Sequence, residues 1–263
     1  MSTDDHGIRV ERDGAIARIT IDRTDEMNML SRSMLDVFLA LTDELRDDDD
    51  VHVVVITGAG SECFCTGVLN PTLRGELSKP QVLDVVLTAN RLFDSIEALP
   101  QVVIAAVNGV VRAGGVELLL ACDFKVAVAH ATLAMPEARW GGFPGAGGPA
   151  RLTALVGHGR AIELICTGRE IDTGEMLRYG LVEEVVPSAG LAQAVDAVAG
   201  RIASSGPLAV RGTKRIMSMR REPGFHAARE LSIALRRSLE YSQDVDEGIA
   251  AHRENRAPRF TGR

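Results

Sequence analysis

Polar and apolar positions alternate along Ile8–Arg12 and again along Ala15–Asp22, on either side of Asp13-Gly14. Period-two alternation around such a dipeptide predicts a β-hairpin. The period then lengthens. Met34, Phe38, Leu41 and Leu45 recur at spacings of four, three and four, which predicts one face of a helix with Ser31 as its N-cap. The acidic run Asp47–Asp50 ends that helix and reads as a solvated loop. Val51–Thr57 and Val102–Val107 are unbroken apolar runs rich in β-branched residues, the pattern of strands covered on both faces. Asp84–Leu99 reads as a helix between them, Gly114–Cys122 as a short apolar helix, and Phe124–Val128 as a further strand. Strands alternating with helices predict βαβ crossovers and a mostly parallel sheet.

Beyond Gly148 the pattern is mainly helical. The predicted segments are Arg151–Val156, Arg160–Thr167, Thr173–Tyr179, Leu191–Ala203, Leu208–Met219, Phe225–Tyr241 and Val245–Arg253, with Glu183–Val186 as a short strand closed by Pro187. No linker composition separates the two regions, and no repeat of 20–50 residues is present in the sequence. The pattern describes one α/β core followed by helices of the kind that often pack on a neighbouring subunit.

Composition narrows the function classes. The chain has 263 residues, 46% hydrophobic and 25% charged, with a net charge of −7. There is no basic stripe with interleaved aromatics, so nucleic acid is not an expected partner. No run approaches the ~18–20 apolar residues of a membrane span. The acidic start, Met1 to His6, has no apolar signal segment, and the expected location is the cytoplasm. Cys63, Cys65, Cys122 and Cys166 are expected to be reduced thiols. No histidine or cysteine spacing suits a metal, so no metal site is expected.

Two glutamates carry the candidate chemistry. Glu117 sits in Asn108-Gly-Val-Val-Arg-Ala-Gly114-Gly115-Val-Glu117, and Glu137 in Met135-Pro-Glu137, ahead of Trp140-Gly-Gly-Phe-Pro144-Gly145-Ala-Gly147-Gly148. Each has a plain structural reading as a first-turn acid favoured by the helix dipole, worth roughly 0.3–1 kcal/mol. Together they can hold one water and divide acid and base work between them. Gly114-Gly115 opens a helix directly after a strand, where open sheets bind ligands, and a residue without Cβ lets a ligand oxygen reach the backbone N–H. Gly145 to Ala150 matches GxGxxA, but no strong strand precedes it and Pro149 interrupts the turn, so dinucleotide binding is rejected.

These motifs resemble the crotonase, or enoyl-CoA hydratase/isomerase, superfamily. The resemblance runs through Ile19-Thr-Ile-Asp-Arg23, Asn28-Met-Leu30, Val53 to Gly60, Phe64-Cys-Thr-Gly67, Ile104 to Gly109, Ala113-Gly-Gly-Val-Glu117, Pro136-Glu137, Pro144 to Gly148, Gly180-Leu-Val182, Asp246-Glu-Gly248 and Pro258-Arg-Phe260. It implies an α/β crotonase (ClpP-like) spiral of ββα repeats. The core is expected over residues 1–200, and a C-terminal helical trimerisation region over 201–263.

The resemblance also implies an activity: an enoyl-CoA hydratase acting on an acyl-CoA thioester as a homotrimer or dimer of trimers. No cofactor is expected beyond the coenzyme A of the substrate itself. In the family, two backbone N–H groups bind the thioester oxygen, and these match Val68 and Gly114. The two hydratase glutamates match Glu117 and Glu137. Met29, Thr66, Gly67, Leu69, Gly115 and Trp140 are the expected substrate-binding residues, although Trp140 reads equally well as core. An isomerase relying on Glu137 alone and a non-catalytic acyl-CoA binder are the competing readings. The chain departs from the family at Val68-Leu69-Asn70, where Ala-Asp-Leu is usual. It departs again at Ala113, the first position of the glycine triplet, at Thr24 for Pro, and at Met29 for Ala.

Overall fold

The computed structural model describes residues 7–219 and 225–259; the acidic first six residues and Phe260 lie outside them. The hairpin forms from β1 (Ile8–Asp13) and β2 (Ile16–Ile21), with Asp13 opposite Ile16. Its two-residue turn is Gly14-Ala15, one position later than the sequence signal, because Gly14 supplies the positive φ (55°) at the first turn position. β2 continues in parallel to β3 (Val53–Gly58), then β5 (Val102–Val107), β7 (Phe124–Val128) and β10 (Glu184–Val186), giving a six-stranded sheet.

The central strands are largely apolar because both faces are covered. Val53, Val55, Ile104, Ala106 and Val126 point to one face, against Val195, Val198 and Ala199 of α8 (Leu191–Ala203). Their neighbours Val54, Ile56, Val103, Ala105 and Ala127 point to the other, into a core shared with Leu35 and Phe38 of α1 (Arg32–Arg46) and Leu92 and Phe93 of α3 (Lys79–Glu97). Side chains alternate across a strand, so this two-sided burial needs continuous apolar runs.

A second, four-stranded sheet in the order β4-β6-β8-β9 has no counterpart in the sequence reading. Its strands are β4 (Cys63–Cys65), β6 (Val110–Arg112), β8 (Thr132–Ala134) and β9 (Ile171–Asp172). Each of the first three follows a strand of the large sheet, and a helical segment follows it in turn. One turn of chain therefore adds a strand to each sheet, which is the expected ββα spiral. β4, β6 and β8 run parallel, with Cys65 opposite Val111 and Val111 opposite Leu133.

The C-terminal segments are α9 (Pro207–Met219), α10 (Phe225–Glu240) and α11 (Gln243–Arg253). In the single chain the last two fold back on their own core. α10 contacts α3 and α5 (Gly148–Val156); α11 contacts α2 (Pro71–Glu76) and the 3₁₀ segment Pro136–Trp140. Among the described residues no helix is long and apolar enough to cross a membrane.

Candidate active site

The small sheet assembles the candidate site. Gly67 and Val68 follow β4, Gly114 follows β6, and Glu137 follows β8. Because the three strands are adjacent and parallel, their C-terminal ends lie side by side, the usual place for a ligand in an open α/β sheet. Ala113 N–H donates to the Ala134 carbonyl at 3.0 Å, which ties the start of α4 (Gly114–Leu120) to the end of β8.

The glycines at this junction permit a close backbone approach. Gly67 has φ +94°, and a Cβ there would lie 2.6 Å from Gly114 N. A Cβ on Gly114 would lie 3.4 Å from Val68 N. The two candidate backbone donors are therefore neighbours across this seam. Gly114 is the first residue of α4, so its N–H has no acceptor within the helix. Ala113 precedes it at φ 48°, ψ −124°, a conformation that glycine adopts without strain and alanine does not.

Glu117 is 3% exposed. Its Oε1 accepts from the N–H groups of Ala146 and Gly148, both at 2.8 Å. The loop carrying these donors is braced from behind. Arg151 Nη1 donates to the Ala146 carbonyl at 2.9 Å, and its Nη2 reaches Asp94 at 2.6 Å and Glu97 at 3.1 Å, both on α3. Asn90 donates to the Gly145 carbonyl at 3.3 Å. Burial pushes the Glu117 carboxyl up to about 7, against the pull of those two N–H groups and of Arg151 and Arg236.

Glu137 is partly exposed as a residue, but its Oε2 is buried and has no protein partner. Burial, and next the charge of Glu117, push its carboxyl up to about 8. A first-turn acid stabilised by the helix dipole would be pulled down instead. Both glutamates move the other way, because desolvation by burial dominates.

The remaining expected residues divide. Met29 and Val68 line a cavity of about 560 Å³ together with Asn70, Leu73, Leu77 and Val85. Arg23 and Arg32 also line it; the sequence gives neither a site role, although Arg23 closes the Ile19–Arg23 motif and Arg32 follows the helix cap Ser31. Thr66 donates its hydroxyl to the Met27 carbonyl at 3.0 Å. Leu69 packs half-buried against the main core. Gly115 faces β4: a Cβ there would lie 2.0 Å from the Cys65 carbonyl oxygen. Trp140 is half-buried and belongs to neither core; its carbonyl lies against Gly248 of α11. Among the described residues no group of three or more His, Cys, Asp or Glu side chains could hold a metal ion.

Comparison with known proteins agrees with this architecture. The family model described as enoyl-CoA hydratase/isomerase matches residues 11–263. A putative enoyl-CoA hydratase/isomerase of Bacillus subtilis is 35% identical over 247 residues, covering 94% of this chain and 95% of that protein. A crotonyl-CoA hydratase of Syntrophomonas wolfei is 35% identical over 254 residues, covering 96% and 97%. The crystal structure of an enoyl-CoA hydratase from Bacillus anthracis superposes with a TM-score of 0.80 at 36% identity, over 98% of this chain and all (100%) of that one. The chain belongs to the enoyl-CoA hydratase/isomerase family.

Proposed function

We propose that this protein is an enoyl-CoA hydratase that adds water across the 2,3 double bond of a 2-enoyl-CoA thioester. The observation that carries the reading is the glutamate pair beside the Val68–Gly114 seam, with Glu117 Oε1 held by two backbone N–H groups, Glu137 Oε2 buried without a protein partner, and both carboxyls raised by burial. Near neutral pH such a pair holds one base and one acid.

In this reading Val68 N–H and Gly114 N–H donate to the thioester oxygen. They strengthen as negative charge develops there, and one such donor is worth roughly 2.7–4 kcal/mol in comparable sites. Glu117, with Oε1 held by Ala146 and Gly148, takes a proton from water through its other oxygen. The water oxygen bonds to C3, and the double-bond electrons move toward the carbonyl. Glu137 delivers its proton to C2. Glu117 ends protonated and Glu137 ionised, so the pair holds one proton before and after. Dehydration runs the same steps backward. Met29 and Val68 border the acyl path, and the larger side chains at both positions narrow it relative to the family's usual alanines. A homotrimer or dimer of trimers is part of the proposal, on family grounds.

The test follows the loss of enoyl-thioester absorbance with short, medium and aryl-conjugated 2-enoyl-CoAs. Glu117→Gln and Glu137→Gln are each expected to lower kcat by roughly 10²–10⁴-fold. Activity lost only in Glu137→Gln would replace hydration with double-bond isomerisation. Thioester binding without turnover would leave an acyl-CoA binder.

A further inference from the structure

Behind the glutamate pair lies a buried ionic cluster that the two-glutamate scheme does not use. Arg74 comes from α2, and Arg236 and Glu240 from α10; they are 8%, 3% and 2% exposed. Glu240 Oε2 accepts from Arg74 Nη2 and forms an ion pair with Arg236 Nη2 at 2.9 Å. The Nε of each arginine is buried without a partner. The cluster abuts both glutamate-bearing segments. A Cβ on Gly142 would lie 3.2 Å from Arg74 Nη1, 3.3 Å from Arg236 Nη1 and 3.5 Å from the Glu137 carbonyl oxygen. A Cβ on Gly145 would lie 3.1 Å from Arg236 Cδ, so the arginine stem runs along the loop that holds Glu117.

The charges here fit together in only one way. Two arginines against Glu240 leave one positive charge in excess. Glu117 and Glu137 contribute two negative charges when both are ionised, one when they share a proton, and none when both are protonated. The five groups sum to zero only with one proton on the pair. Net charge in a dry interior is costly, so that proton count is the favoured one. The groups facing the cluster from other elements do not disturb the balance. Arg151 of α5 and Arg229 of α10 are matched by Asp94 and Glu97 of α3. Asp246 of α11, which faces Arg74, is exposed and pairs with Lys79 of α3.

We infer that Arg236, clamped with Arg74 by Glu240, is a positioning residue that holds one proton on the Glu117–Glu137 pair. Its catalytic meaning rests on the hydratase reading, but its electrostatic content does not. Burial and the like charge of Arg74 pull Arg236 down to about 10, while Glu240, Glu117 and Glu137 hold it up, so it stays charged at neutral pH. Since hydration moves the proton from one glutamate to the other without changing the count, the cluster stays neutral through the cycle.

The test titrates the pair directly, by the infrared carbonyl band of protonated carboxyls, with Glu137→Gln subtracted to assign it. Arg236→Met is expected to raise the pair's titration by about one pH unit, and Glu240→Gln to lower it by about one. Arg236→Lys keeps the charge and is expected to leave it in place. A brace that only supported the fold would lower the unfolding midpoint in these variants without opposite titration shifts. Unmoved titrations, or shifts of the same sign, would overturn the inference. Should Glu240→Gln fail to fold, equal titrations in Arg236→Met and Arg236→Lys would overturn it alone. Because the readout is protonation, opposite shifts in a protein that does not hydrate enoyl thioesters would retire the hydratase reading and keep this one. Hydration without shifts would do the reverse.

Discussion

Replacing Glu117 by Gln should change how stability depends on pH, and by a predictable amount. The carboxyl is buried and its pKa rises from 4.5 to about 7 on folding. Below its unfolded value both states carry the proton, and the group adds no pH dependence. Between that value and about 7 the folded protein keeps the proton while the unfolded chain loses it, so stability falls as pH rises. Above about 7 the folded protein also ionises and the loss levels off. The interval corresponds to about 3 kcal/mol. Gln carries no such proton, while its Oε1 can keep the two N–H bonds from Ala146 and Gly148. The stability of the variant relative to wild type should therefore climb by about 3 kcal/mol between pH about 4.5 and about 8.5. Glu137 adds to the same trend, since removing the Glu117 charge lowers its carboxyl from about 8. Urea unfolding at fixed protein concentration, extrapolated to water at each pH, measures this. Parallel curves would mean that Glu117 titrates in the fold as it does in the unfolded chain. Burial would then not hold its proton, and the acid–base division proposed for the pair would lose its footing.

Ala113→Gly should stabilise the protein by about 1 kcal/mol, because it relieves alanine at φ 48°; a lowered thermal midpoint would count against strain there. Gly67→Ala places a Cβ 2.6 Å from Gly114 N at φ +94° and should cut kcat by roughly 10²-fold or more while circular dichroism still reports a folded chain. Retained turnover would show that the seam is not where the thioester oxygen sits. Arg151→Met leaves Asp94 and Glu97 without this partner, frees the Ala146 carbonyl and should cost about 3–5 kcal/mol; a melting curve within a degree of wild type would refute the bracing role.

What the sequence makes legible follows from element length and contact range. The central strands β3, β5 and β7 stand out because burial on both faces demands largely apolar runs of five or six residues. The strands of the small sheet, two or three residues each, are too short to display a period, so the sheet that aligns Val68, Gly114 and Glu137 is invisible until the chain is folded. Helix starts are legible in their capping residues. Asn70-Pro71 is a cap followed by a first-turn proline, and Asn70 Oδ1 does accept from Leu73 N–H at 2.8 Å to open α2. Gln81 accepts from Ser78 N–H at 2.9 Å, which starts α3 at Lys79 rather than at Asp84. The glutamates announced themselves through local glycine frames. Arg74 and Glu240 carry no local signal, since their ion pair joins residues 166 positions apart.

The docking of α11 bears on when in the life of the chain the site becomes competent. Gly248 lies against the Trp140 carbonyl and Gly141 against the Asp244 carbonyl, so the last helix meets the segment of Glu137 backbone to backbone. Every group proposed to touch substrate precedes residue 141, whereas Arg236 and Glu240, two of the buried charges beside the glutamate segments, come from α10 near the end of the chain. A polypeptide still emerging from the ribosome, or one cut short by premature termination, carries all the reacting groups with α10 and α11 missing. Its glutamates then lack the Arg236 charge, which draws both carboxyls down in the full chain. Such a fragment holds the proposed reacting atoms without the ionic cluster inferred to set their proton count.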